Sequence, residues 1–210
     1  MPKVSIIIPY NKDRGFFKEA FMSAENQTFG DFEIIVQHGA NESLGKNIND
    51  GILRSSGEWV KILSEDDILP DNSIELLYAK AMEGFDWIVG DAENFGDLKD
   101  GWEYAAYWTA INPTLAGMLK SNQIHGGTTL YRRDILFKTG GYDESLWTGE
   151  EYDLHLNLLA NGYKVGVVNK VVYKYRLHDH NKSMDMSPKA SQFRREYITD
   201  KIKSRYYKYV

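Results

Sequence analysis

Three consecutive carboxylates, Glu65-Asp66-Asp67, follow the apolar pair Ile62-Leu63 and precede Ile68-Leu69-Pro70. Adjacent like charges repel unless solvent, a basic group or a cation offsets them. A hard divalent ion that also bridges diphosphate oxygens would supply that offset and take up charge as a diphosphate leaves. The same residues also read as a solvated turn ahead of a helix capped by Asp71 or Asn72. The 210 residues include no cysteine, so Asp, Glu, His, backbone carbonyls or ligand oxygens must hold any metal.

A second acidic stretch, Glu150-Glu151-Tyr152-Asp153-Leu154, begins after Gly149. Carboxylates in a first helical turn are stabilised by the helix dipole alone. In a cleft, the same position suits a general base acting on a hydroxyl. Further along, Arg176-Leu177-His178-Asp179-His180 closes a long apolar segment. There Arg176 can neutralise phosphate charge, and His178 can ligate a metal or hydrogen-bond a diphosphate. His180 reads better as part of a polar strand exit. His125 beside Gly126-Gly127, with Trp147, marks the candidate acceptor side, while His38 and His155 read as structural or surface residues.

These groups need a scaffold that brings them to one edge. Val4–Ile8 is an apolar run closed by Pro9, the pattern of a buried parallel strand. Phe32–Val36 and Trp59–Leu63 read as further strands and Phe85–Val89 as another apolar one, with helical segments near Phe16–Glu25, Leu44–Ser55 and on to Met82 between them. Alternating strand and helix predicts a parallel sheet with crossover helices. Ligands of such sheets bind beyond the carboxyl ends of the strands. This puts Pro9-Tyr10-Asn11 and Glu65-Asp66-Asp67 at one crevice, with a nucleotide base or ribose against Tyr10, and Lys46 and Asn49 can face the same space. After residue 95 the pattern loosens. Gly101–Leu119 reads as aromatic and partly helical, Thr128–Tyr131 as a strand, Gly140–Asp143 as a turn, Tyr152–Asn161 as a helix and Val165–Tyr175 as a strand.

One domain over 1–210 is the economical division. It divides into a first half to about residue 95, a second to about 185 and a basic helical tail over 186–210. The net charge of −5 and the lack of nucleic-acid-reading motifs argue against nucleic acid as a partner. Neither GxGxxG nor GxxxxGK[ST] occurs, which argues against a dinucleotide dehydrogenase and a P-loop kinase. No apolar run reaches spanning length, and Met1-Pro2-Lys3 leads straight into a strand, so a cytoplasmic location without a signal peptide is expected. The basic, Tyr-containing tail suits a weak peripheral membrane contact, a solvated helix, or the junction to a further domain of a longer chain.

Taken in order, these segments resemble the GT-A fold glycosyltransferases of family 2 over nearly the whole chain. The opening strand Val4–Asn11, Phe32–Val36, Asn49-Asp50-Gly51-Ile52, Ser56–Val60 and Leu63–Asp67 match the donor half. Tyr131-Arg132-Arg133, Gly140–Glu144, Glu150–Leu154, Asn161–Val165 and Tyr175–His178 match the acceptor half. The resemblance implies an α/β fold with a Rossmann-like, mostly parallel central sheet, helices on both faces and a smaller acceptor-side part. It also implies transfer of a hexose-type sugar, with inversion, from a nucleotide diphosphate donor. A UDP-sugar is the expected donor, and the acceptor a hydroxyl of a glycan, glycoprotein or lipid-linked saccharide. The cofactor would be Mn²⁺ or Mg²⁺ on Asp66, with Asp67 and His178 as further metal candidates. Glu151, with Glu150 beside it, stands in the place of the base. Departures fall on the donor side. Gln37 and His38 replace two Asp, and Gln37 can still address a pyrimidine edge through its amide. Ile48 replaces an Arg whose charge Lys46 can supply, Ser64 replaces the first Asp of the metal motif, and Glu151 replaces an Asp. The same departures would suit a catalytically inactive nucleotide-sugar or glycan-binding module.

Overall fold

The computed structural model describes residues 1–12, 14–39, 42–96, 107–178, 181 and 188–210. The element order is β1 (Val4–Tyr10), α1 (Phe17–Glu25), β2 (Phe32–His38), α2 (Leu44–Arg54), β3 (Trp59–Ile62), α3 (Ser73–Ala81) and β4 (Trp87–Phe95). Then come β5 (Tyr107–Trp108), α4 (Leu115–Lys120), β6 (Leu130–Arg132), α5 (Arg133–Thr139), α6 (Glu150–Ala160), β7 (Val165–Arg176) and α7 (Pro188–Tyr197). Short π and 3-10 turns over Ile198–Tyr209 finish the chain. His180 and the start of the Gly101–Leu119 segment lie outside the described residues.

All seven strands join one sheet in the order β2-β1-β3-β6-β4-β5, with β7 on the other side of β4. β1 pairs in parallel with β2 and β3, and β4 with β7. Both β3 and β4 pair antiparallel with β6, so β2, β1, β3, β4 and β7 all run the same way. β6 is the reversed strand between them, a direction the sequence pattern did not fix. β4 also runs farther than its apolar core suggests. Register shifts at Gly90/Asp91 and Asp91/Ala92 carry it past the polar Asp91 to Phe95, as an irregularity in a ladder allows.

Alternation along the strands divides the apolar side chains between two layers. On β1, Val4, Ile6 and Ile8 pack with Ala20 and Ala24 of α1 and with Ile74, Leu77 and Ala81 of α3. Ile7 points to the opposite face, among Ile48 and Ile52 of α2, Leu136 of α5 and Leu154 and Leu158 of α6. Helices therefore cover both faces, and the strand exits are left open at one edge. Reversal of β6 brings its leading turn, Gly126–Thr128, to that same edge, because Leu130 pairs with Lys61 near the end of β3.

Candidate active site

The acidic turn leaves β3 at the open edge, and its three carboxylates have three different surroundings. Asp67 is 2% exposed. Its Oδ2 accepts the Tyr173 hydroxyl at 2.6 Å and its Oδ1 the Arg176 backbone N–H at 2.7 Å. Burial, with the neighbouring charge of Asp66, pushes its pKa up to about 8. Both oxygens are thus already engaged, so Asp67 anchors the turn to β7 and is a poor candidate for direct metal contact. Glu65 accepts the Asn11 backbone N–H at 3.3 Å and pairs with Arg14, which ties the turn to the loop after β1. Burial raises its pKa.

Asp66 is left to face the cleft. Its Oδ2 stands 3.0 Å from His178 Nε2, and the imidazole lies against the Phe16 ring. Two neighbouring ligands at about 2.1 Å around an octahedral ion stand about 3 Å apart, so this carboxylate–imidazole pair suits two positions around Mn²⁺ or Mg²⁺. Among the described residues no three His, Asp or Glu side chains form a metal cluster. Further ligands would have to come from the substrate or from water.

A cleft of about 470 Å³ opens over this turn. Pro9, Asn11, Glu65, Asp66, Asp67, Glu150 and Glu151 all line it, so residues from β1, the acidic turn and α6 meet in one space. A second cavity of about 390 Å³ lies toward the tail, walled by Gly126, Tyr152, Ile198, Arg195 and Lys203 among others. Gly149 and Glu151 line both. Gly149 takes a left-handed φ of +80° at the start of α6, and a Cβ there would come within 2.8 Å of Ile202. Glycine thus lets α6 begin at the boundary of the two cavities, with Glu151 half-buried and Glu150 at 3% exposure.

Other predicted residues are held nearby without lining either cavity. The Tyr10 ring packs on Phe17 and His38. Gln37 is buried; its amide donates to His38 O and accepts from Arg54 at 2.7 Å, so it is engaged on its own side of the sheet. Lys46 bonds Asp50 at 2.6 Å and neighbours Glu42, with its charge spent along α2. Asn49 clamps the Gly140–Asp143 turn, donating to Tyr142 O at 2.8 Å and accepting the Tyr142 N–H at 2.9 Å. Arg176 lies between the Phe16 and Phe95 rings, pairs with Glu19 and donates to Asp66 O at 2.8 Å. It braces the acidic turn. His125 packs among Trp108, Tyr173 and Tyr175, and burial pulls its pKa down to about 4, so it is neutral. Gly127 abuts Tyr173. Trp147 packs on Phe193 and Tyr197 of the tail.

Some residues near the site were not anticipated. Arg14 and Arg194 line the larger cleft. Arg14's place in the loop after a strand's carboxyl end was a usable signal. Arg194 comes from the tail, so only the fold reveals it. Lys61, fully buried in β3, was not anticipated because a lysine in a strand reads as a solvent-facing residue.

Several known proteins are similar to this chain. A glycosyltransferase of Rickettsia typhi, itself named as uncharacterized, is 29% identical over 211 residues, covering 85% of this chain and 65% of that protein. The GalNAc(5)-diNAcBac-PP-undecaprenol beta-1,3-glucosyltransferase of Campylobacter jejuni is 28% identical over 127 residues, 47% of this chain and 41% of that one. The crystal structure of S. aureus TarS residues 1–349 in complex with UDP-GlcNAc superimposes with a TM-score of 0.68 at 19% identity, covering 84% of this chain and 59% of that one. The chain thus spans 65% of the Rickettsia protein's length and 59% of the TarS fragment's. The sequence profile of Glycosyl transferase family 2 matches residues 35–139, half of the chain, and the sheet and helices are those of a glycosyltransferase fold, so this chain belongs to glycosyl transferase family 2.

Proposed function

We propose that the chain transfers a hexose-type sugar, with inversion, from a nucleotide diphosphate sugar to a hydroxyl of a glycan, glycoprotein or lipid-linked acceptor. A UDP-sugar is the donor we favour. The reading rests mainly on Glu151, the one residue with an ionisable side chain among those lining both cavities. A donor in the larger cleft would lie over Asp66, and an acceptor in the smaller cavity would present its hydroxyl from the other side of Glu151. The TarS complex supports a nucleotide-sugar donor by likeness of fold.

In this reading Glu151 takes the proton of the acceptor hydroxyl. The oxygen forms its bond to the sugar C1 as the C1–O bond to the diphosphate breaks, and the electron pair departs with the nucleotide. Asp66 and His178 would hold a divalent cation, which offsets the negative charge gathered on the leaving diphosphate. Arg14, paired with Glu65, lines the same cleft.

The test is a thermal-shift panel of UDP-, GDP- and dTDP-sugars with Mn²⁺, with Mg²⁺ and with EDTA, followed by nucleotide-release assays on the donors that stabilise the protein. Metal-dependent stabilisation by one donor class, with release of the nucleoside diphosphate, is expected. Saturable donor binding without any release, over a broad acceptor set, would point to a binding module.

A further inference from the structure

A lysine in the centre of a sheet, remote from water, needs a reason. Lys61 is 0% exposed. Its ammonium donates to the backbone oxygens of Gly127 and Thr129, the latter at 3.2 Å, and stands 4.9 Å from the centre of the Tyr173 ring. The protonated amine has three N–H donors and the neutral amine two, so the two carbonyls, with the ring face beside them, satisfy it in either form without a contacting carboxylate. Both carbonyls belong to the turn Gly126–Thr128 and the residue after it. This turn is pressed from two sides. A Cβ at Gly127 would lie 2.2 Å from Tyr173, and one at Gly126 would lie 2.9 Å from the Glu151 side chain. The turn therefore touches the proposed base directly, and Lys61 holds it from beneath.

We propose that Lys61 is a positioning residue for sugar transfer: anchored on the Gly127 and Thr129 carbonyls, it keeps the Gly126–Thr128 turn against Glu151 and so fixes where that carboxylate meets the acceptor. The proposal rests on Glu151 acting as the base. The ammonium faces Asp67, Tyr173 and His125 across the interior. Burial pulls the Lys61 pKa down to about 7 while the charge of Asp67 raises it. Lys61 in turn lowers the pKa of His125. Asp67 and Tyr173 belong to the network that supports the acidic turn, so the one lysine lies between the supports of donor and acceptor sides.

Because the chain contains no cysteine, Lys61→Cys creates a single thiol that can be alkylated in denaturant before refolding. Bromoethylamine restores an ammonium at lysine length, whereas 1-bromopropane gives an uncharged chain of the same length; in each case the thiolate displaces bromide. UDP release is then measured with UDP-glucose, UDP-galactose and UDP-N-acetylglucosamine. The propyl form should lose about 10- to 100-fold in kcat, the range expected for a base displaced by about 1 Å. Its donor KM should stay within about threefold, and the aminoethyl form should recover kcat. Lys61→Met, produced directly, should repeat the propyl result if refolding is poor. Wild-type kcat in the propyl or methionine form, or a parallel loss of kcat and donor affinity that the aminoethyl group does not rescue, would overturn the proposal. Glu151→Gln is assayed alongside. Full activity in that variant removes the base reading itself, whereas a dead Glu151→Gln with fully active Lys61 variants removes the positioning role alone.

Discussion

Tyr173 donates its hydroxyl proton to Asp67 at 2.6 Å, joining β7 to the acidic turn across 106 residues of sequence. The same hydroxyl receives the Ser64 backbone N–H at 3.3 Å. Asp67 is thereby drawn inward, and Asp66 is left as the most exposed of the three carboxylates, beside His178.

Removing this bond leaves a buried carboxyl with one partner fewer. Tyr173→Phe should cost about 1–3 kcal/mol of unfolding free energy, the usual penalty for orphaning a buried polar group. Combined with Asp67→Asn, the loss should be smaller than the sum of the single losses, since the two side chains are in contact. Urea unfolding of the cycle reads this directly. Additive losses would mean that the pair is not coupled.

Glu151→Gln keeps shape and removes the proton acceptor, so kcat should fall by about 10² to 10⁴, the range attributed to general base catalysis. Its melting temperature and donor affinity should stay near wild type. Glu150 is 3% exposed against the half-buried Glu151, so Glu150→Gln should act mainly on stability. If the two effects on kcat were reversed, the assignment of the base would pass to Glu150.

Asp66 and His178 converge at 3.0 Å. Asp66→Asn should weaken both donor binding and turnover, and the advantage of Mn²⁺ over EDTA in either measurement should vanish with it. His178→Gln should weaken the metal effect by about tenfold, on the scale of losses around metal sites. Calorimetric titration of Mn²⁺ with donor present measures both. Metal response unchanged in Asp66→Asn would place the ion elsewhere.

Stability should rise with pH on the alkaline side. Lys61 has a pKa near 7 when folded against 10.5 as its ordinary value, so between these the unfolded chain binds a proton that the folded chain does not. That difference makes unfolding costlier as pH rises, by at most about 1.4 kcal/mol per pH unit for one proton. Asp67 acts in the opposite sense from its ordinary 3.8 up to about 8, because there the folded chain keeps a proton that the unfolded chain has lost. That loss fades above pH 8, and Lys61 then sets the slope. Urea unfolding at pH 8, 8.5 and 9, below the range where the buried tyrosines with raised pKa values begin to oppose it, should show a rise in the wild type that Lys61→Met lacks.

Much of the site was legible because strand exits are marked by chemistry. Ile6-Ile7-Ile8-Pro9 and Ile62-Leu63-Ser64 each pass from apolar to polar within one residue or two, which places Asn11 and Glu65-Asp66-Asp67 at one edge of the sheet. Gly149 before two glutamates likewise announced the start of α6. Side-chain direction within those turns was not legible. Arg176 and Lys46 carry the charge a diphosphate would seek, yet Arg176 is stacked between Phe16 and Phe95 and Lys46 is paired along its own helix.

The residue string alone determined which segments become strands, since runs such as Val4–Ile8 can bury both faces only inside a covered sheet. Those runs also carried the acidic groups to the strand ends. Tertiary structure decided what each charge does there. The partner that draws Asp67 inward stands on β7, the carbonyls that accept Lys61 precede the reversed strand β6, and the wall shared by the two cavities is set by where α6 begins. Contacts between residues so distant in sequence leave no local pattern, and burial fixes a side chain's ionisation only after those partners have closed around it.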